Sequence, residues 1–249
     1  MTSIARNIGL ARKRMTGLAG VALLLGTSVA ARAADTVDFS GTWKVVTPRT
    51  SILPDRRAIA FTPQGKKQYD EHVRLKAKKD MSFDLTTSRC SSPGMPRVML
   101  TPMRLRIFQD PQVMTMGFEW NRVRRAIAMP GLPPQISLFG AADDAKLVGT
   151  KMGTAQAQWD GGMLVITTKD LSDSTLLDDL VPHGFGLKVT ERLTLKDADT
   201  LEDRIMIEDP EYFAKPLETV LTYKRQPDAI FPEDVCLDRM FGKPPLPTK

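Results

Sequence analysis

The chain has few of the residues from which common catalytic centres are built. Among 249 residues there are two histidines, His72 and His183, and two cysteines, Cys90 and Cys236. That is a thin supply for a zinc or copper site of ordinary His/Cys composition, so no metal is expected. No Gly-x-Ser-x-Gly elbow is present, which leaves a serine hydrolase of the usual type unsupported. A phosphate-cradling glycine loop and a dinucleotide fingerprint are also absent, and no cofactor is expected. The longest apolar stretch, "GLAGVALLLG" from Gly17 to Gly26, is too short to span a bilayer.

That stretch belongs to a leader with the three parts of a secretory signal. Arg6, Arg12, Lys13 and Arg14 precede it, and "ARA" (Ala31 to Ala33) places small residues for cleavage before Ala34. Residues 1–33 are therefore expected to be removed, leaving a periplasmic or secreted domain over 34–249. Removing the leader changes the charge. Taking its five basic residues from the total of 35 leaves 30 Lys and Arg against 29 Asp and Glu. The basic balance belongs largely to the leader, so a nucleic-acid partner loses its main support. The densest basic cluster left, "NRVRRA" (Asn121 to Ala126), is short. In an exported chain two cysteines suggest one bridge, Cys90 to Cys236, with two buried free thiols as the alternative.

The remaining pattern is mostly β. One helix opens at "FTPQGKKQYDEHVRLKAKK", where Thr62 can cap it and Pro63 suits its first turn. Its thin apolar stripe, Tyr69 and Val73, predicts a surface position. About eight strands follow, joined by recognisable turns. "MRLRIF" and "VMTMGFEW" flank "QDPQ"; setting Phe108 against Val113 gives an apolar wall of Met114, Met116 and Phe118, which Trp120 and Arg122 continue. "QAQWDGGMLVITT" reads as a hairpin turning at Asp160 to Gly162. "LKVTERLTL" and "LEDRIMIED" form another, with a three-residue loop at Asp197 to Asp199 pairing Val189 with Ile207 and Glu191 with Ile205. "LETVLTYKR" (Leu217 to Arg225) is a last long strand. The sum is a single antiparallel up-and-down barrel, or a sandwich, with one short surface helix.

"FSGTWKV" (Phe39 to Val45) resembles the Gly-x-Trp signature that opens lipocalin-type barrels. The resemblance implies that Trp43 closes one end and that Arg225, late in the last strand, packs on it. The chain is also similar to a family of secreted bacterial proteins of unsettled function. The shared segments are "DFSGTW" at Asp38, "CSSPGMPR" at Cys90, "GTAQAQWDGGMLVITT" at Gly153, "PHGFGLKVTERL" at Pro182 and "DPEYFAKPL" at Asp209. This resemblance implies a secreted β-rich domain, and no reaction. Of three histidines in the family's pattern, two positions read Thr154 and Lys188 here, which again argues against a metal.

One residue is out of place. On "LKVTERLTL", alternation puts Leu187, Val189, Glu191, Leu193 and Leu195 on a single face, so a carboxylate interrupts a core surface. Asp203 shares that face, diagonal to Glu191 across the hairpin. Burial raises the pKa of such carboxyls and coupling pushes their titrations apart, an arrangement suited to proton transfer. Three roles for Glu191 stay open: a buried pair with an arginine, for which Arg122 is the candidate; contact with a ligand's polar group; and catalysis. Met116, Phe118, Trp120, Val189 and Ile205 are the expected ligand-lining residues. His183, about 26 Å along an extended strand from Glu191, is expected at the rim. Two functions follow. The first is a cofactor-independent lyase, isomerase or hydrolase acting on a small apolar or aromatic molecule. In it Glu191 transfers the proton, Asp203 modulates it and Arg122 stabilises negative charge. The alternative is a periplasmic carrier of such a molecule.

Overall fold

A computed structural model describes residues 37–132 and 149–231; the expected leader and Cys236 lie outside them. Nine strands close into one barrel in chain order. They are β1 (Gly41–Val45), β2 (Arg104–Gln109), β3 (Val113–Phe118), β4 (Arg124–Ala128), β5 (Thr154–Asp160), β6 (Met163–Lys169), β7 (Lys188–Asp197), β8 (Thr200–Glu208) and β9 (Leu217–Arg225). Neighbours are antiparallel with one exception: β4 and β5 run parallel, joined only at Ile127–Ala155 and Ala128–Gln156. The expected purely antiparallel meander is corrected at this seam. A tight turn cannot join two parallel strands, and the connection here spans residues 129–153.

Period-two alternation supplies the core. Leu105 and Ile107, Met114 and Met116, Leu164 and Ile166, Val189 and Leu193, and Ile205 and Ile207 all point inward and are buried. Trp43 is fully buried. It pairs with Arg225 in the β1–β9 ladder, and that guanidinium lies 4.1 Å over the indole. Arg225 is fixed by donating to the carbonyls of Ser40 and Ala198, both at 2.8 Å. Gly41, at φ +140°, is required beside it, since a β-carbon there would collide with the guanidinium.

The β7–β8 hairpin has the register read from the sequence. Val189 faces Ile207, Glu191 faces Ile205 and Leu195 faces Leu201, with an outer ion pair of 2.7 Å between Lys188 and Glu208. Asp160 pairs with Met163 across Gly161–Gly162, again as read. The β2–β3 hairpin differs. Ile107 pairs with Met116 and Leu105 with Phe118, two residues from the expected pairing. A two-residue slip keeps every side chain on its own face, so face agreement alone could not detect it. The turn decides it: the Asp110 carboxylate accepts from the amides of Gln112 (2.7 Å) and Val113 (2.8 Å).

Helix α1 (Pro63–Ala77) begins at Thr62, whose hydroxyl accepts from the Gly65 amide at 3.1 Å. Its buried residues are Gly65 and His72, whereas Val73 is 40% exposed, so the docking face is turned one residue from the stripe read earlier. Gly65 sits against the Tyr212 carbonyl, where a β-carbon has no room. Gly65→Ala should therefore lower stability by about 1–3 kcal/mol through overpacking, although alanine is the better helix former. Denaturant unfolding of the variant checks it; a stability at or above wild type would show that the helix can shift. A second, one-turn helix, α2 (Leu85–Arg89), is capped by Asp84, which Arg97 grips at 2.8 and 2.9 Å. Among the described residues no helix is long and apolar enough to cross a membrane.

Candidate functional site

Charged side chains meet inside the barrel. Strand β4 alternates Arg124 outward, Arg125 inward, Ala126 outward and Ile127 inward. Arg125, 2% exposed, donates from Nη1 to Glu191 Oε1 at 2.9 Å and from Nη2 to Oε2 at 2.5 Å. Nη2 also donates to the Thr168 hydroxyl, and the Met116 sulfur lies 3.9 Å from Nη1. This two-pronged contact is the geometry that a planar guanidinium and a carboxylate favour. Glu191 is fully buried, and its charge is matched at both oxygens.

Asp203 is also fully buried, and neither of its oxygens has a partner in good hydrogen-bond geometry, the Arg192 amide acting on it only weakly. Its pKa is pushed well above the usual carboxylate range, first by burial and next by the negative charge of Glu191. Arg125 and the nearby Arg192 amide pull the other way and do not offset those effects. These effects favour the protonated form of Asp203, in which it is a hydrogen-bond donor. Tyr223 closes the group: burial and the two carboxyls push its phenol well above its usual range, and its hydroxyl donates to the Met99 carbonyl at 3.1 Å.

A consequence for stability follows. Folded Asp203 holds its proton more tightly than the unfolded chain, which releases it near pH 4. Its favourable contribution is complete below that pH and drains away as pH rises toward the folded pKa, by up to about 1.4 kcal/mol per pH unit. Asp203→Asn should flatten this part of the stability curve and gain on wild type as pH rises. Unfolding titrations at a series of pH values test this; parallel curves for the two proteins would show that Asp203 is ionised in the folded state.

Glu191, Asp203, Met116, Val189 and Ile205 thus lie on the interior face, as read from the sequence, and Phe118 is buried at the end of β3. Arg122 and Trp120 do not continue that wall. The strand stops at Phe118, whose amide donates to the Val123 carbonyl, and residues 120–122 form a single 3-10 turn. Asn121 and Arg122 adopt positive φ (44° and 52°), which breaks the alternation and leaves Arg122 exposed. The arginine that meets Glu191 is Arg125. Its signal was in the sequence: Val123, Arg125, Ile127 and Met129 alternate, so Arg125 interrupts an apolar face just as Glu191 does.

His183 is not a rim residue. It is 1% exposed, with Nδ1 donating to the Gly184 carbonyl and Nε2 meeting the Thr175 hydroxyl, each at 3.0 Å. Burial lowers its pKa, so it is neutral at pH 7. Both ring nitrogens serve the packing of residues 175–184. The same segment is held by Asp178, a fully buried carboxylate that sequence reading missed. One oxygen accepts from the Leu180 and Val181 amides (2.8 and 2.9 Å), the other from the Ile52 amide (2.8 Å) and Arg56 Nε (3.0 Å).

No protein-family model and no curated protein matches the chain. Among solved structures, two single-site variants of the fluorescent protein UnaG are similar at 16% identity, with TM-scores of 0.36 and 0.34. The matches cover 76% and 75% of this chain and 97% and 95% of theirs. At that level the likeness carries no argument about what this chain binds.

Proposed function

We propose that this chain is a lipocalin-like small-molecule-binding protein whose interior charged cluster orients a mainly apolar or aromatic ligand. The observation that carries this reading is Asp203. Buried polar groups are nearly always hydrogen-bonded, and leaving one unpaired costs about 1–3 kcal/mol. A buried carboxyl without a well-formed hydrogen bond inside an apolar barrel, and biased toward its protonated form, is a donor that an entering molecule can meet. Arg125 and Glu191 neutralise each other, so the cluster offers hydrogen bonds and no net charge. Val189, Ile205 and Met116 form the apolar surroundings.

The alternative is a cofactor-independent acid/base enzyme, with the protonated Asp203 as the feature that favours it. Glu191 is less suited to be the mobile base, since both its oxygens are occupied by Arg125. We further propose that the chain is exported, on the three-part leader at residues 1–33, with cleavage before Ala34 and, in an oxidising compartment, a Cys90–Cys236 bridge.

Native mass spectrometry of wild type and Asp203→Asn, each exposed to the same extract of the source organism, tests the function. A binding protein retains one unchanged compound in the wild type and loses affinity in the variant. An enzyme shows a compound that the variant retains and the wild type converts to another mass. If the variant holds the same compound as tightly as wild type, Asp203 is not the recognition group and the reading fails.

A further inference from the structure

The cluster "NRVRRA" is divided by the fold. Arg125 enters the barrel, Arg122 lies in the β3–β4 turn, and Arg124 points outward. On that outer surface Arg106 of β2 pairs with Gly117 of β3, and Gly117 pairs with Arg124 of β4. Two arginines therefore flank a glycine in one row across three strands, with their backbones two strand spacings apart, roughly 10 Å. Because Gly117 has no side chain, the row has a low floor between two cationic walls.

This floor belongs to a groove of about 560 Å³. Phe108, 60% exposed, stands on one side; Ile230, also 60% exposed, and Phe231 stand on another. No acidic residue is among the described residues that line it. Arg106 is oriented by donating to the Thr42 hydroxyl at 3.0 Å and by Phe231, whose ring centroid is 4.8 Å from the guanidinium. Among the described residues Arg124 forms no ion pair, and its guanidinium keeps five donors available. Large aromatic and aliphatic side chains exposed beside a cation such as Arg124 are unusual on a surface with no ligand to meet. The volume is in the range of small-molecule sites, and the pairing of positive charge with apolar walls specifies the ligand's chemistry.

We propose that this groove is a second binding site, on the outside of the barrel, for an amphipathic aromatic anion. Its carboxylate or sulfonate head sits over Gly117 between Arg106 and Arg124, and its ring lies against Phe108 and Ile230. The site does not depend on the interior reading, because it uses the opposite face of β2, β3 and β4.

The test is a fluorescence titration of the full chain with anilinonaphthalene sulfonate, with the uncharged phenylnaphthylamine as control. Saturable binding of the anion is expected, about tenfold or more tighter than the control and weakened by salt. Arg124→Glu should cost about tenfold or more, Arg124→Lys much less, and Phe108→Ser several-fold. Arg124 and Phe108 are exposed, so circular dichroism should show all three variants folded. Asp203→Asn, inside the barrel, should leave this binding unchanged, which separates the two sites. The proposal is overturned if Arg124→Glu and Phe108→Ser bind the anion as wild type does. It is equally overturned if Asp203→Asn abolishes the binding, since the probe would then be in the interior.

Discussion

Arg125→Met should lower the free energy of unfolding by about 3–5 kcal/mol at neutral pH, the largest single loss expected in the barrel. Methionine fits the space well enough that packing is not the main cost. The cost is Glu191, left fully buried with no cation and with Asp203 close by. Natural domains are stable by about 5–15 kcal/mol, so this loss is a large fraction of the margin. Two further measurements identify the cause. Lowering the pH should shrink the deficit, because Glu191 can then fold protonated. Adding Glu191→Leu to Arg125→Met should restore most of the loss, since a buried ion pair and a well-packed apolar pair often have similar net stability. If the double variant is as unstable as the single one, the guanidinium is needed for packing or for Thr168 rather than for charge.

Asp178→Ala should cost nearly as much, about 3–4 kcal/mol, for a different reason. One carboxylate ties three backbone amides, at Ile52, Leu180 and Val181, to Arg56, joining segments more than a hundred residues apart in sequence. Alanine would leave those donors without their acceptor, and each unpaired buried amide carries a penalty of about 1–3 kcal/mol. The effect should be local in its first stages: limited proteolysis should cut near residues 175–184 before the strands are attacked. A variant that resists proteolysis there would mean that water replaces the carboxylate at little cost.

The strands were the legible part of the sequence. Period-two alternation is a local property, and it placed Glu191 and Asp203 on one interior face and set the β7–β8 register residue by residue. Arg225 on Trp43 was also foreseen, from the Gly-x-Trp segment. The failures share one cause, a non-local or turn-level fact that alternation does not contain. Arg122 and Trp120 were assigned to the interior by extending β3 past Phe118, but a 3-10 turn with positive φ at Asn121 and Arg122 ends the strand there. The two-residue slip in β2–β3 left no trace in the faces, and Asp178 is one acid among several between Ser172 and Pro182, with no periodic pattern to set it apart. Arg125 was legible in principle, because it stands on an apolar face between Val123 and Ile127.

The parallel junction of β4 and β5 divides the barrel into two ribbons, β1–β4 and β5–β9. Within the ribbons the β2–β3, β3–β4, β5–β6, β7–β8 and β8–β9 pairs are close in sequence, the inexpensive, fast-forming kind of contact, whereas β1 reaches β2 across some sixty residues. The ring is then closed by two narrow joints, two residue pairs wide at β4–β5 and three at β1–β9. The β1–β9 joint closes the longest loop, from Trp43 to Arg225, and both joints contribute few hydrogen bonds. In native-state hydrogen exchange the amides of the joints should open at a lower free energy than those in the middle of β7 and β8. The barrel is then a ring with two weak links, the places at which its wall should part first.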